Sequence, residues 1–303
     1  ASSKALFVLL PLFAASASAF APSNGMFARS PALRTTAAKS VRSSSVATWS
    51  MAERRPVIAG NWKMNPETVD DAMKLAEAIA EKSKTSSAQV VICTPHPFLY
   101  RAGKAFEGSN VELGAQSIFY QEKGAFTGAV STCMIKSVGA KHCLSGHSER
   151  RVIFNNDDTA INRKTRKLLD EGLYPMLCIG ESKDEYDAKL NTAVCSNQLS
   201  KDLKGVTKEE MKRVTIAYEP VWAIGTGLTC DAKAAQEVHT YIRSWIAKMY
   251  DQETADATRI LYGGSVTPET VDELMSMPDV DGCLVGGASL DAEKFGRIMN
   301  FKA

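Results

Sequence analysis

The chain has 303 residues, of which 45% are hydrophobic, and a formal net charge of +2 at pH 7. Its first acidic residue is Glu53, and removal of the five basic residues before it changes the net charge from +2 to −3. A mildly acidic body of about 250 residues excludes a basic nucleic-acid binder and is long enough for one large α/β domain.

The first fifty residues have the composition of a targeting sequence. Lys4 precedes an apolar run over residues 5–14 that is too short to span a bilayer and is typical of a signal peptide. Residues 15–19 alternate Ala and Ser, as at a cleavage site, and residues 20 to about 50 are basic, hydroxylated and free of acids. We therefore predict a presequence, a signal plus a transit peptide, over residues 1–51, and one domain over residues 52–303.

This arrangement resembles the bipartite presequence of plastids with extra membranes. The sequence Ser18-Ala19-Phe20-Ala21-Pro22 resembles the Phe-centred junction of algal plastid presequences. We expect a mature protein in the plastid stroma without a membrane segment. A mitochondrial destination is the alternative, and a secreted protein with a disordered basic linker is a further one.

Seven cysteines are scattered along the chain, and no two lie closer than ten positions. This spacing contains no CxxC pair for zinc or redox exchange, and we expect no metal and no cofactor. An odd, scattered set favours reduced thiols in a cytosolic or stromal compartment. Buried cysteines are therefore a better interpretation than a regulatory thiol switch.

Short apolar runs recur along the body with helical stretches between them. They lack polar alternation, as parallel strands buried on both faces require. Eight strands are predicted near residues 57–59, 90–93, 111–113, 142–145, 175–179, 214–217, 259–262 and 282–285.

Start and stop signals mark the helices between these strands. Asn65-Pro66-Glu67 predicts a helix with Asn65 as N-cap, and Thr267-Pro268-Glu269 repeats the signal. Gly172 is predicted at the position after a helix end. Eight such units predict an α/β fold, a (β/α)₈ barrel. An open doubly wound sheet is the alternative, but no GxGxxG follows the first strand.

The active site of such a barrel lies at the carboxyl ends of its strands, and Glu219 directly follows the sixth strand. A proline and a glycine-bearing segment, residues 220–227, come next and suggest a movable cover that excludes water. A solvated loop glutamate is the common alternative. Because its flanks are apolar, we expect burial to raise the pKa of Glu219 and make it a base.

Two further side chains follow strands. His147 is the one histidine of four at a predicted strand-to-helix turn, where helix N–H groups would lower its pKa and keep it a neutral electrophile. A capping histidine is the alternative. Lys63 follows the first strand and would bring a positive charge to the site, although an ordinary surface lysine is the usual case.

Glycine pairs follow the last two strands, at Gly263-Gly264-Ser265 and Gly286-Gly287. Backbone N–H groups can surround an anion where side chains are absent, and Ser265 adds a hydroxyl. With Gly225 in the cover, these pairs predict a phosphate site, for which simple tight turns are the alternative.

Together these segments resemble those of the triosephosphate isomerase family, whose fold is the TIM barrel, from about Pro56 to Met299. The resemblance implies interconversion of dihydroxyacetone phosphate and D-glyceraldehyde 3-phosphate without a cofactor. It implies Glu219 as the base, His147 as the electrophile, and Lys63 and Asn61 as catalytic and substrate-binding groups.

By the same resemblance, further residues support the site. Glu149 would order Lys63, with Ser148 as a second supporting residue. The phosphate would bind at Gly225, Ser265, Gly286 and Gly287.

The resemblance also implies a homodimer through the loop after the third strand, which contains Gln116, Phe126 and Thr127. Ile118, Phe119, Tyr120 and Phe126 give this loop more apolar surface than a free loop carries. Thr127 would reach the partner's Asn61 and the partner's Lys63.

Three positions depart from the family pattern. Ala129 stands where a glutamate paired with the position of Arg150 is usual. Leu228 stands where the rear hinge of the cover usually has lysine. Tyr186 stands where an arginine is common.

Other functions fit less well. A Schiff-base aldolase needs a barrel lysine, typically on the sixth strand, which here ends in Glu219, and a metal-dependent epimerase needs several His and acidic residues at strand ends. Another phosphate-binding barrel or a non-catalytic scaffold is the remaining alternative, which the presence of Glu219, His147 and Lys63 disfavours.

Overall fold

The computed structural model describes residues 54–224 and 230–302. Within these ranges eight parallel strands close into a barrel in chain order, with β8 paired to β1. The predicted (β/α)₈ fold is therefore confirmed. The strands are β1 Val57–Asn61, β2 Gln89–Thr94, β3 Val111–Ala115, β4 His142–Ser145, β5 Tyr174–Ile179, β6 Thr215–Tyr218, β7 Arg259–Tyr262 and β8 Gly282–Val285.

Helices connect the strands and cover the outside of the barrel. In the described residues they are α1 Val69–Ser83, α2 Leu99–Ala105, α3 Thr132–Ser137, α4 Ser148–Val152, α5 Asp158–Asp170, α6 Lys183–Asp187, α7 Asn191–Asp202, α8 Lys208–Met211, α9 Ala232–Met249, α10 Gln252–Ala257, α11 Val271–Met275 and α12 Ala292–Met299. Short 3₁₀ turns lie at His96–Phe98, Val221–Ala223 and Gly287–Leu290.

The strand predictions agree with the structure to within one or two residues, but two helix starts were predicted too early. The cap of α1 is Thr68, whose side chain accepts from the Asp71 N–H, and Asn65 instead donates to the Trp62 carbonyl. The cap residue of α11 is Thr270, three residues after Thr267. Before α11 the Thr270 N–H donates to the Thr267 carbonyl at 3.2 Å in a turn, and the Thr270 side chain makes no cap hydrogen bond.

The predicted end of α5 is confirmed. Glu171 is its C-cap, and Gly172 follows with a φ of 74°, which costs a glycine little because it has no Cβ.

Apolar packing has two layers. One fills the barrel interior, with small and sulfur-bearing side chains such as Ala59, Cys93, Cys178 and Ala217. The larger one lies between the strands and the helices. The seven cysteines are all free, and only Cys133 is exposed, in agreement with the prediction of buried thiols. The filled interior leaves the strand ends as the place for a site.

Candidate active site

A cavity of about 720 Å³ lies at the carboxyl ends of the strands. The structure brings together around it seven of the residues that the sequence singled out. They are Asn61, Lys63, His147, Glu219, Ser265, Gly286 and Gly287. Gly225 and Leu228 of the predicted cover lie outside the described residues.

Lys63 is held above the end of β1. Its φ is 53°, an uncommon value for a residue with a Cβ, and its N–H donates to the Asn61 side-chain oxygen at 3.0 Å. Its Nζ lies 2.7 Å from Glu149 Oε1, the contact expected from the sequence. The Gln116 amide donates to the Lys63 carbonyl at 2.7 Å. Gln116 therefore braces the Lys63 backbone within its own subunit.

His147 is the N-cap residue of α4 and is only 5% exposed. The Glu149 N–H donates to its Nδ1 at 3.2 Å, as the predicted helix start requires. An accepting Nδ1 leaves the proton of the neutral ring on Nε2, which lies 3.0 Å from Glu219 Oε1.

Glu219 is 2% exposed and directly follows β6. Its Oε2 accepts the Ser148 N–H at 2.8 Å, and its own N–H donates to the Ile179 carbonyl of β5. A Cβ on Gly263 would lie 2.9 Å from Glu219 Cγ, so only glycine leaves room there for the carboxylate. The Glu219 carboxylate is therefore held by a hydrogen bond at each oxygen and by close packing behind it.

The pKa directions expected for His147 and Glu219 were both wrong for this arrangement. Burial lowers the pKa of His147, but the adjacent Glu219 carboxylate raises it by more, although the Glu149 N–H at Nδ1 opposes protonation. Burial raises the pKa of Glu219, but His147 and the Ser148 N–H lower it by more. The sequence presented the two groups separately, whereas the fold places them in contact, and each cancels the effect of burial on the other.

The predicted phosphate residues line the cavity after β7 and β8. Gly286 lies so near Lys63 that a Cβ there would be 3.4 Å from Lys63 Cε, while a Cβ on Gly287 would meet nothing within 4 Å. Ser265 is exposed to the cavity. This side of the cavity therefore offers backbone and hydroxyl groups, and the ammonium of Lys63 is beside it.

The loop after β3 is only partly as predicted. Thr127 and Phe126 are exposed, and the Phe126 ring packs on Phe119 at a centroid distance of 4.7 Å. Ile118 is 4% exposed and belongs to the core of its own subunit, so it adds no surface to the loop.

Sequence reasoning missed Glu181, a fully buried carboxylate beside the site. Its Oε1 accepts from the Tyr218 hydroxyl at 3.0 Å and from Trp222 Nε1 at 2.8 Å, and burial raises its pKa. The sequence could have predicted Glu181, because it lies two residues after β5 and residues that follow a strand lie at the carboxyl end of the barrel.

Within residues 54–224 and 230–302, no group of three or more His, Cys, Asp or Glu side chains is arranged to hold a metal ion. In the same ranges, no helix has the length and apolarity needed to cross a membrane.

Comparisons with known proteins agree with this site. The family model described as triosephosphate isomerase matches residues 56–302. A triosephosphate isomerase of Thermoanaerobacter sp. (strain X514) is 47% identical over 248 residues, which cover 82% of this chain and all of the relative. Others from Alkaliphilus metalliredigens and Carboxydothermus hydrogenoformans are 45% and 46% identical, covering 82% and 81% of this chain and 100% and 98% of their own. The chain therefore belongs to the triosephosphate isomerase family and is an enzyme of the isomerase class.

Proposed function

We propose that this enzyme interconverts dihydroxyacetone phosphate and D-glyceraldehyde 3-phosphate by proton transfer through an enediolate. The observation that carries the proposal is one cavity lined by a buried carboxylate, a buried imidazole, a lysine and four glycines in two pairs. Proton transfer next to a carbonyl needs a base, an electrophile for the oxygen and a fixed anion site, and these residues supply all three.

In the proposed reaction Glu219 removes a proton from the carbon next to the carbonyl and returns it to the neighbouring carbon. The Nε2–H of His147 donates to the carbonyl oxygen and then to the neighbouring hydroxyl oxygen in turn. Lys63 stabilises the negative charge that develops on oxygen, and Asn61 fixes the Lys63 backbone through its 3.0 Å hydrogen bond.

Substrate would change the pKa of both groups in the useful direction. The contact between Glu219 and His147 is what opposes burial in this arrangement. When Glu219 turns from His147 to a substrate carbon, the burial effect dominates. The pKa of Glu219 then rises, which strengthens the base, and the pKa of His147 falls, which keeps the ring neutral.

The phosphate would bind at Ser265, Gly286 and Gly287, beside the Lys63 ammonium. Phosphate binding there would supply the orientation that places the reacting carbon against Glu219. Gly225 is proposed to contribute from the cover. The alternative assignments, another phosphate-binding barrel or a non-catalytic scaffold, would share the phosphate site but not the proton transfer.

The test is a coupled assay of the chain from Met51 on D-glyceraldehyde 3-phosphate, repeated in D₂O. We expect turnover and deuterium at the carbon where the enediolate is reprotonated, because the proton on Glu219 exchanges with solvent. Absence of turnover by folded protein would refute the isomerase assignment. Condensation of D-glyceraldehyde 3-phosphate with added dihydroxyacetone phosphate, without isomerisation, would instead indicate an aldolase-type barrel.

We further propose that the enzyme is a homodimer. Apolar side chains are exposed after the carboxyl ends of three strands in one half of the barrel. Met64 is 92% exposed after β1, Phe126 43% after β3, and Ile153 and Phe154 66% and 55% after α4. A neighbouring copy that covers them would also reach the rim of the cavity through Thr127.

For location we propose the plastid stroma, with a mitochondrion as the alternative. The support is the composition of residues 1–51, which lie outside the described residues. A fluorescent fusion of residues 1–55 is expected in plastids. Its appearance in mitochondria or in the medium would overturn this assignment.

A further inference from the structure

An aromatic stack lies on the segment that directly follows Glu219. The Tyr186 ring packs on the Trp222 indole with centroids 4.2 Å apart and planes 29° apart. Trp222 belongs to the 3₁₀ turn Val221–Ala223, and Tyr186 belongs to α6. The stack therefore joins the loop after β5 to the loop after β6.

Hydrogen bonds at the start of α6 anchor the Tyr186 side of this stack. Ser182 caps α6 in a capping box with Glu185, and the Tyr186 N–H donates to the Ser182 carbonyl at 2.9 Å. Tyr186 is 38% exposed, so the ring is a surface side chain and not part of the barrel core.

Two hydrogen bonds fix the other side against Glu181, which is also in the loop after β5. The Val221 N–H donates to the Glu181 carbonyl at 3.1 Å, and the Trp222 indole N–H donates to Glu181 Oε1. The stack covers the indole that makes the second of these bonds. Glu181 and Tyr186 together therefore restrain residues 221–222, and Glu219 lies only two residues before them.

We propose that Tyr186 is a positioning residue for the isomerisation: its stack on Trp222 holds the turn after Glu219, and so the backbone from which the base extends. This inference rests on the proposed function. Tyr186 does not line the cavity and has no part in the chemistry. Its contribution is to fix the backbone from which Glu219 turns from His147 to the substrate, so that the carboxylate starts from one defined position.

Kinetics of three variants of the full chain test the proposal. In Tyr186→Leu, which removes the ring but keeps an apolar side chain, we expect kcat to fall about three- to tenfold, the range that the loss of one aromatic pair corresponds to. KM should change less than twofold, since the phosphate contacts are intact. Tyr186→Phe keeps the stack and should retain kcat within twofold of the wild type.

Tyr241→Leu is the matched control. It breaks another Tyr–Trp stack, with Trp245 on α9, whose indole N–H donates to the Ser200 hydroxyl and not to Glu181. We expect this variant to keep the kcat of the wild type. An equal loss in Tyr241→Leu, or the same loss in Tyr186→Phe as in Tyr186→Leu, would overturn the positioning role.

A second readout does not depend on activity. In protein labelled with 5-fluorotryptophan, the ¹⁹F resonance that disappears in Trp222→Phe belongs to Trp222. We expect Tyr186→Leu to shift it and Tyr186→Phe to leave it near its wild-type position. An unshifted resonance in Tyr186→Leu would overturn the stack. Wild type without turnover would refute the proposed function, whereas wild-type turnover that Tyr186→Leu keeps within twofold would refute only the positioning role.

Discussion

The barrel has a histidine–glutamate pair at each end, and the two pairs differ in what surrounds them. At the carboxyl end, His147 Nε2 lies 3.0 Å from Glu219, and both residues line the cavity. At the amino end, His142 Nε2 lies 2.7 Å from Glu112 Oε2, and Lys141 contacts the other oxygen at 3.1 Å.

The amino-end pair is closed in by further partners. Gln89 donates to the same oxygen of Glu112 as His142 does, and Arg259 donates to Gln89. Glu112 and His142 also come from neighbouring strands, so the pair ties β3 to β4. The carboxyl-end pair crosses over the end of β5 and has an open side. In both pairs each carboxylate oxygen has a hydrogen-bond partner, so the pairs differ in access: only the carboxyl-end pair lines a cavity that a substrate could enter.

The largest expected difference is in activity. Glu219→Gln should lower kcat by about 10²–10⁴-fold, the usual contribution of a general base, and leave the fold intact. Glu112→Gln makes the same chemical change at the other end and should keep kcat within twofold. The coupled assay and circular dichroism check both. Near-normal turnover in Glu219→Gln would remove it as the base, and a large loss in Glu112→Gln would abolish the distinction between the two ends.

The carboxyl end is also the one proposed to need a second copy. Thr127→Arg puts a bulky charge on an exposed residue of the loop after β3, and we expect loss of the dimer and of most activity. Thr85→Arg is its control, an equivalent change at an exposed residue just before β2 at the other end of the barrel. Light scattering and the coupled assay measure both. A fully active Thr127→Arg dimer would contradict the interface.

At the amino end the expected effect is on stability. Glu112→Gln removes a carboxylate that accepts from His142, Gln89 and Lys141, and the partly buried position suggests a loss of about 1–2 kcal/mol in the free energy of unfolding. Denaturant unfolding of the variant beside wild type measures it. Equal midpoints and slopes would show that the network adds nothing to stability.

The smallest expected effect is the pH dependence of the stability that Glu112 contributes. The hydrogen bond from His142 outweighs burial and holds the pKa of Glu112 well below its usual range. A carboxyl with a lowered folded-state pKa stabilises the fold above its ordinary pKa of about 4.3, and the contribution is lost as pH falls toward the folded-state value. The stability difference between wild type and Glu112→Gln should therefore be present at pH 5 to 6 and shrink as pH falls below about 4.3. A difference that grows on acidification would contradict the assignment.

Much of the fold could be predicted from local patterns in the sequence. Largely apolar runs set all eight strands to within one or two residues, because a strand buried on both faces has few polar positions, such as Glu112 in β3. Helix starts were predicted less accurately. Asn65 and Thr68 are both residue types that favour an N-cap, and the backbone of the folded chain places Thr68 at that position.

For the candidate site, the sequence by itself determined which side chains gather. A residue that directly follows a parallel strand lies at the carboxyl end of the barrel, so strand limits were enough to place Lys63, His147 and Glu219 around one cavity. Only the tertiary structure decided their electrostatics, because a pKa depends on distances of a few ångströms between groups far apart in sequence. His147 and Glu219 are 72 positions apart, and their contact reversed both expected shifts. The stack of Tyr186 on Trp222 arose in the same way, from two loops that meet only when the barrel closes.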